Sequence, residues 1–220
     1  KRYSHHQPQI LPDSNGDAKK ILNYVNLAKP EEQCLFLVSL ISMFIPEIPH
    51  PVIILYGQQG AAKTTTFKVC KKIVDPSKID VLSFPHSETE LVQILQHHFA
   101  CFFDNVTNIS HNDSDTLCRA VTGGGFSKRE LYTNDEDIIY SFKRVIGING
   151  INVVSNKPDL LDRSILLELQ RIPTHTRKPE RIFWHDFDKD RASILGGIFN
   201  TLVATLKIYP TINLSELPRM

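Results

Sequence analysis

The spacing of hydrophobic positions changes along the chain, and each change marks a different kind of element. From Ala18 the apolar residues Ile21, Leu22 and Val25, then Leu35, Val38, Leu40, Ile41 and Phe44, recur at helical intervals. Pro30, Glu31 and Glu32 form a helix start, and Pro46 its stop. At Pro51 the pattern becomes a continuous apolar run, Val52-Ile53-Ile54-Leu55-Tyr56, followed by glycine-containing chain and a helix to about Ile73. Such a run predicts a strand buried on both faces. The alternation then repeats: a short strand around 79–84, a helix from Glu88 to His98, and a strand Phe99-Ala100-Cys101-Phe102-Phe103 ending at Asp104. A helix through Asp115 to Val121, a hairpin-like pair flanking Asn134 to Asp137, strands at 145–148 and 165–169, and a helical tail over Pro179 to Leu206 complete the series. Strands alternating with helices predict an α/β fold with a central, mostly parallel sheet.

Residues 1–17 are polar and broken by Pro8, Pro12 and Gly16, so they read as a linker or arm. Residues 18–50 form an amino-terminal helical segment, 51–172 the α/β core and 173–220 a carboxyl-terminal helical segment. With 220 residues, 41% of them hydrophobic, the chain can bury a sizeable core, which excludes a disordered protein. Its formal charge of +1 gives no global field for a polyanion, so any such partner must meet a local patch. Cys34, Cys70, Cys101 and Cys118 stand far apart with no CxxC pair, which reads as a reducing, cytoplasmic setting with no zinc site. His5 and His6 have no further ligand in spacing and read as solvated residues. The longest apolar stretch, Cys34 to Ile45, is too short to span a bilayer, so no membrane segment or membrane partner is expected. The start at Lys1, without Met or an apolar signal core, reads as a fragment of a longer protein.

The candidate chemistry begins at Gly57-Gln58-Gln59-Gly60-Ala61-Ala62-Lys63-Thr64, directly after the first buried strand and opening a helix. This is the context of a nucleotide phosphate loop. Backbone N–H groups from Gly60 through Thr65 would converge on phosphates at the positive end of the helix, with Lys63 reaching the outer oxygens and Thr64 holding Mg2+. Ala62 departs from the pattern, which places a second glycine there; its methyl group fits if the residue keeps a negative φ. Asp104 emerges at the carboxyl edge of the sheet, where open α/β folds bind ligands, and can hold a water of the same Mg2+. Asn105 follows where many ATPases carry a second acid; an amide can orient water but cannot take its proton.

Taken in order, the phosphate loop, Phe102-Phe103-Asp104-Asn105, the block from Val121-Thr122-Gly123-Gly124-Gly125-Phe126 to Leu131-Tyr132, and Val145-Ile146-Gly147-Ile148-Asn149-Gly150 make the chain resemble AAA+ P-loop ATPases of the superfamily-three helicase type. It is most similar to the ATPase portions of phage, plasmid and other mobile-element primase-helicases, from about Pro51 to Leu169. The resemblance implies an ATP- and Mg2+-dependent motor for DNA replication, assembled as a homo-oligomeric ring, a hexamer, on single-stranded DNA. It further implies that Asn149 is the sensor of the outer phosphate or attacking water, and that Arg163 is a finger reaching a neighbour's nucleotide. A salt bridge from Arg163 to Asp159 or Asp162 is the plainer reading. The nucleic-acid element of such helicases would be a hairpin from Leu131 to Phe142, with Lys128, Arg129 and Lys143 lining a channel and Tyr132 or Tyr140 stacking on bases. Its turn, Asn134-Asp135-Glu136-Asp137, is acidic and would repel phosphate. The alternative function is an ATP-dependent switch or assembly scaffold with weak hydrolysis and no translocation.

Overall fold

The computed structural model describes residues 3–129, 137–153 and 157–213; of the side chains at 126–129 and 137–140 nothing is said. A short 3-10 helix at Ala18–Tyr24 precedes α1 (Pro30–Ser42). The core alternates strand and helix: β1 (Val52–Tyr56), α2 (Lys63–Val74), β2 (Leu82–Ser83), α3 (Glu88–His97), β3 (Ala100–Asp104) and α4 (His111–Thr122). It continues through β4 (Gly125–Arg129), β5 (Asp137–Ser141), β6 (Val145–Gly150), α5 (Pro158–Asp162) and β7 (Ser164–Glu168), and the long α6 (Glu180–Ile208) closes the chain. Ser87 and Ser110 cap α3 and α4 by accepting from the N–H three residues on, so each helix starts where its sequence supplies an oxygen.

Five strands form one parallel sheet in the order β2-β3-β6-β1-β7. Helices on both faces explain why the central strands read as unbroken apolar runs. Ile53, Leu55, Phe102 and Leu167 face the core formed with α1, α2 and α6. Val52, Ile54, Cys101, Phe103, Ile146 and Ile148 face the core formed with α3, α4 and α5. β4 and β5 form a separate antiparallel pair, Gly125 opposite Ser141 and Arg129 opposite Asp137. Its first strand begins in the glycine run, directly after Gly123 caps α4 in the left-handed conformation (φ 92°), earlier than the expected start at Leu131. The expected acidic turn at 134–136, with Leu131 and Tyr132, lies outside the described residues, as do the side chains of Lys128, Arg129 and Tyr140.

The arm is laid against the body. His6 bridges Ser77, Gln7 N–H donates to Pro76 O at 2.9 Å, and Asp13 N–H donates to Ala192 O of α6 at 2.9 Å. At that crossing a Cβ on Gly196 would stand 1.7 Å from Asp13 O, so the two backbones approach as only glycine permits. The middle of α6 is core, through Phe187, Ile194, Leu195 and Ile198, while Val203, Leu206 and Ile208 are exposed. Together with the turn that follows, Glu180–Thr211 is by length and composition long and apolar enough to cross a membrane. A count of consecutive apolar residues does not register it, because polar residues interrupt its hydrophobicity along its length. All four cysteines are free thiols.

Candidate nucleotide site

Three strand ends converge at the carboxyl edge of the sheet. β1 runs into the loop 57–62 and α2, β3 ends in Asp104, and β6, lying between them, ends in Asn149 and Gly150. Asp104 Oδ1 accepts from the Thr64 hydroxyl at 2.8 Å and from Asn149 Nδ2 at 2.7 Å. The Asn149 side-chain oxygen in turn accepts from Asn105 N–H at 2.8 Å, so both halves of the amide are assigned by their partners. Asn149 is 2% exposed, and a buried amide with both ends satisfied is a rigid spacer between the two strands. Asn105 takes the left-handed conformation (φ 54°), which asparagine adopts more readily than most residues.

Among the described residues, none of the backbone N–H groups of Gly60 through Thr65 has an acceptor, whereas Thr66 N–H closes the first helical bond onto Ala62 O at 2.9 Å. Gly57 takes φ 138°, and a Cβ there would lie 2.2 Å from Leu169 O, so the loop leaves β1 through a gap that admits no side chain. Lys63 folds back over the loop, its ammonium donating to Gly57 O at 2.6 Å and Gln58 O at 3.1 Å. Burial lowers its pKa, opposed by the nearby Asp104 carboxylate. Ala62 overturns the expectation of a negative φ: it caps α2 at φ 66°, ψ 26°, in the region where the phosphate-loop pattern uses glycine. Its methyl group is accommodated in the left-handed conformation, at a cost of ~1–2 kcal/mol.

Arg163 lies elsewhere. It closes α5 at the opposite, amino-terminal edge of the sheet, where its carbonyl accepts from Val52 N–H at 2.8 Å. Its guanidinium donates to Asp159 O at 2.9 Å and pairs with the Asp159 carboxylate, and the hydrogen bond to the carboxylate raises its pKa. Lys143 reaches back to the Glu47 carbonyl, its stem beside Gly123, and Arg144 donates to Leu95 O. Arg119 pairs with Glu88 at 3.0 Å.

Two cavities flank the loop. One of about 540 Å³ is lined by Tyr24, Asn26, Gly60, Arg177, Phe183 and Trp184. The other, about 660 Å³, shares Gly60 and Arg177 and adds Gln58 and Arg171. A Cβ on Gly60 would meet the Arg177 guanidinium at 2.6 Å, so this side chain sits directly on the loop. Asn26 donates to Ala61 O at 3.3 Å, tying the amino-terminal segment to it. None of Tyr24, Asn26, Arg171 and Arg177 follows from motif spacing. Arg171 and Arg177 carried one usable signal: they follow β7, which ends on the same edge as the phosphate loop.

The model of the actinomycete integrative conjugative element replication protein family matches residues 18–212. The chain belongs to this family. Among solved structures, this conjugative-element replication protein is similar to the C-terminal region of NrS-1 in an apo form, with TM-score 0.58 and 13% identity over 90% of this chain and 48% of that one. It is also similar to the JCV helicase bound to a thiazolopyridine compound, with TM-score 0.50 and 13% identity over 85% of this chain and 53% of that one. The chain thus spans about half the length of the structures it matches. At such identities the likeness speaks for the fold, and at that level the resemblance read from the motif order holds. No curated protein matches the sequence. A replication-related role follows from the family, and the solved structures speak for the fold.

Proposed function

We propose that the protein is an ATP-hydrolysing AAA+ motor that acts on DNA during replication of a mobile element, in the cytoplasm, as a homo-oligomeric ring. One observation carries this reading: the convergence of Thr64, Asp104 and Asn149 beneath a loop whose free N–H groups and lysine face the same edge. The donor set suits a nucleotide with Mg2+, since a hydroxyl and a carboxylate are the hard oxygen ligands that ion takes. Mg2+ would neutralise charge on the phosphates. Lys63 would exchange the loop carbonyls for phosphate oxygens, Thr64 and Asp104 would hold the metal and its water, and Asn149, with Asn105, would orient the attacking water. Gly57, Gln58, Gln59, Gly60, Ala61, Ala62 and Thr65 shape the cradle, and Tyr24 and Trp184 offer aromatic faces for the base. Arg163, at the far edge of its own subunit, could serve only a neighbour's nucleotide, and only by leaving Asp159. Lys128 and Arg129 on the β4–β5 hairpin remain the proposed contact to single-stranded DNA.

Asn105 beside Asp104 favours a second reading, an ATP-dependent switch with weak hydrolysis, because neither amide can accept a proton. One set of measurements separates the two. Lys63→Ala is expected to lower ATP turnover by ~100-fold or more, and Arg163→Ala to keep nucleotide binding while losing turnover. Single-stranded DNA is expected to stimulate the wild type, less so as salt rises. Unchanged turnover in Lys63→Ala refutes the site; turnover indifferent to DNA selects the switch.

A further inference from the structure

At the other end of β3, far from the phosphate loop, three imidazoles meet. His5 and His6 come from the arm and His98 from the carboxyl cap of α3. Each offers a ring nitrogen, and these atoms lie within 4.8 Å of one another. The ring centroids are 4.4 Å apart for His5 and His6, 4.3 Å for His5 and His98, and 6.4 Å for His6 and His98. We propose that His5, His6 and His98 bind a divalent zinc-type ion that clamps the arm to the body.

The backbone brings the histidines together independently of any ion. Lys78 N–H donates to His5 O at 2.9 Å, and the Ser77 hydroxyl donates to the same oxygen at 3.2 Å. The His5 and His6 side chains are thereby presented to His98, which is 9% exposed. His5 Nε2 is enclosed and has no hydrogen-bond partner among the described residues, so its lone pair is available to a cation. His6 Nε2 lies 3.0 Å from the His97 carbonyl, which can only accept, so this nitrogen carries the proton. Its Nδ1 keeps a lone pair, met at present by Tyr3 N–H at 3.3 Å. A ring nitrogen donating to a backbone carbonyl while the other binds metal is the usual outer-shell support of a histidine ligand. In a tetrahedral zinc site with bonds of about 2.0–2.1 Å, ligand nitrogens stand about 3.4 Å apart, so the cluster has to tighten by about 1.5 Å at its widest. Ring rotation supplies that movement.

Lys71 is the charge that opposes a cation here. Its ammonium lies 3.4 Å from His98 Nδ1 but is held by the Asp75 carboxylate at 2.7 Å and by Ala100 O at 2.8 Å. Asp75 therefore neutralises it locally, and with Nδ1 beside Lys71, Nε2 is the His98 nitrogen that would bind the ion. An all-imidazole donor set selects zinc-like ions over Mg2+, which prefers oxygen, so the site is chemically distinct from the nucleotide site. Three protein ligands leave the fourth position to water. Because the ligands lie more than ninety residues apart in sequence, an ion would join the arm to the α3–β3 corner.

The test uses the full chain, stripped by chelator, with Cys34→Ser as background, titrated with Zn2+ against a chromophoric indicator in excess Mg2+. One ion per chain is expected. The arm variant His5→Ala/His6→Ala and the body variant His98→Ala should each weaken binding at least ~10-fold, with circular dichroism confirming that they fold. Co2+ in place of zinc should give the intense visible absorption of a tetrahedral site, lost in the arm variant. Zinc should also slow proteolytic cleavage within the arm of the wild type only. Substoichiometric uptake by the wild type, or arm-variant affinity equal to wild type, overturns the site; arm cleavage indifferent to zinc overturns the clamp.

Discussion

Ala62 stores strain at the point where the phosphate loop becomes α2. A non-glycine residue at φ 66° carries a penalty of ~1–2 kcal/mol, while glycine gives back ~0.4–1 kcal/mol through the greater freedom of its unfolded chain. The first term wins. Ala62→Gly is therefore expected to stabilise the protein by about 0.5–1 kcal/mol, read as a higher denaturant midpoint at unchanged m-value. A lower midpoint would mean that the residue does not hold this conformation in solution. Asn149 illustrates the opposite strategy. Both ends of its amide are satisfied between Asp104 and Asn105, so its position needs no strain to be fixed.

The contact between the arm and α6 is a statement about elements, and glycine makes it testable through the sign of an effect. In an isolated helix Gly196→Ala stabilises by ~1 kcal/mol, since alanine is the better helix former. Here the new methyl group would collide with the Asp13 carbonyl, which is backbone and cannot rotate away. The expected result is a loss of roughly 1–3 kcal/mol, the usual cost of overpacking, measured as a lower Tm with faster proteolysis of residues 3–15. A rise in Tm would show that the arm does not lie on α6. The β4–β5 hairpin is likewise an element whose place is set by its neighbours: it leaves the capped end of α4 and feeds β6, the strand that carries Asn149.

For the molecule as a whole, acid stability is governed by imidazoles that folding buries in the neutral form. His50 is 1% exposed, with neither ring nitrogen partnered among the described residues, and burial, then Lys143, pushes its pKa down to about 4. Burial, then Lys71, brings His98 to about 4 as well. With unfolded values near 6.5, the unfolded chain binds more protons between pH 6.5 and 4, so stability is complete above this window and falls as pH drops through it. Each group accounts for up to ~3 kcal/mol. Replacing His50 by Leu should flatten the acid limb of a denaturation series recorded in chelator, without lowering stability at neutral pH. An unchanged slope would mean that His50 is protonated in the folded protein.

The sequence by itself determined the local chemistry: unbroken apolar runs for strands covered on both faces, serines at helix starts, and Lys63-Thr64 opening a helix after the first strand. It also placed Asp104 and Asn149 each at a strand end, because the period of a strand and the position of its last apolar residue are properties of neighbouring residues. Tertiary structure alone decided that β6 lies between β1 and β3, and hence that Asn149 bridges Asp104 and Asn105. It alone set Arg177 on Gly60, gave Ala62 a left-handed backbone, and carried His98 to His5 and His6. Those outcomes depend on strand order and on the path of the arm, which arise from burying surfaces far apart in the chain, and no periodicity or spacing encodes them.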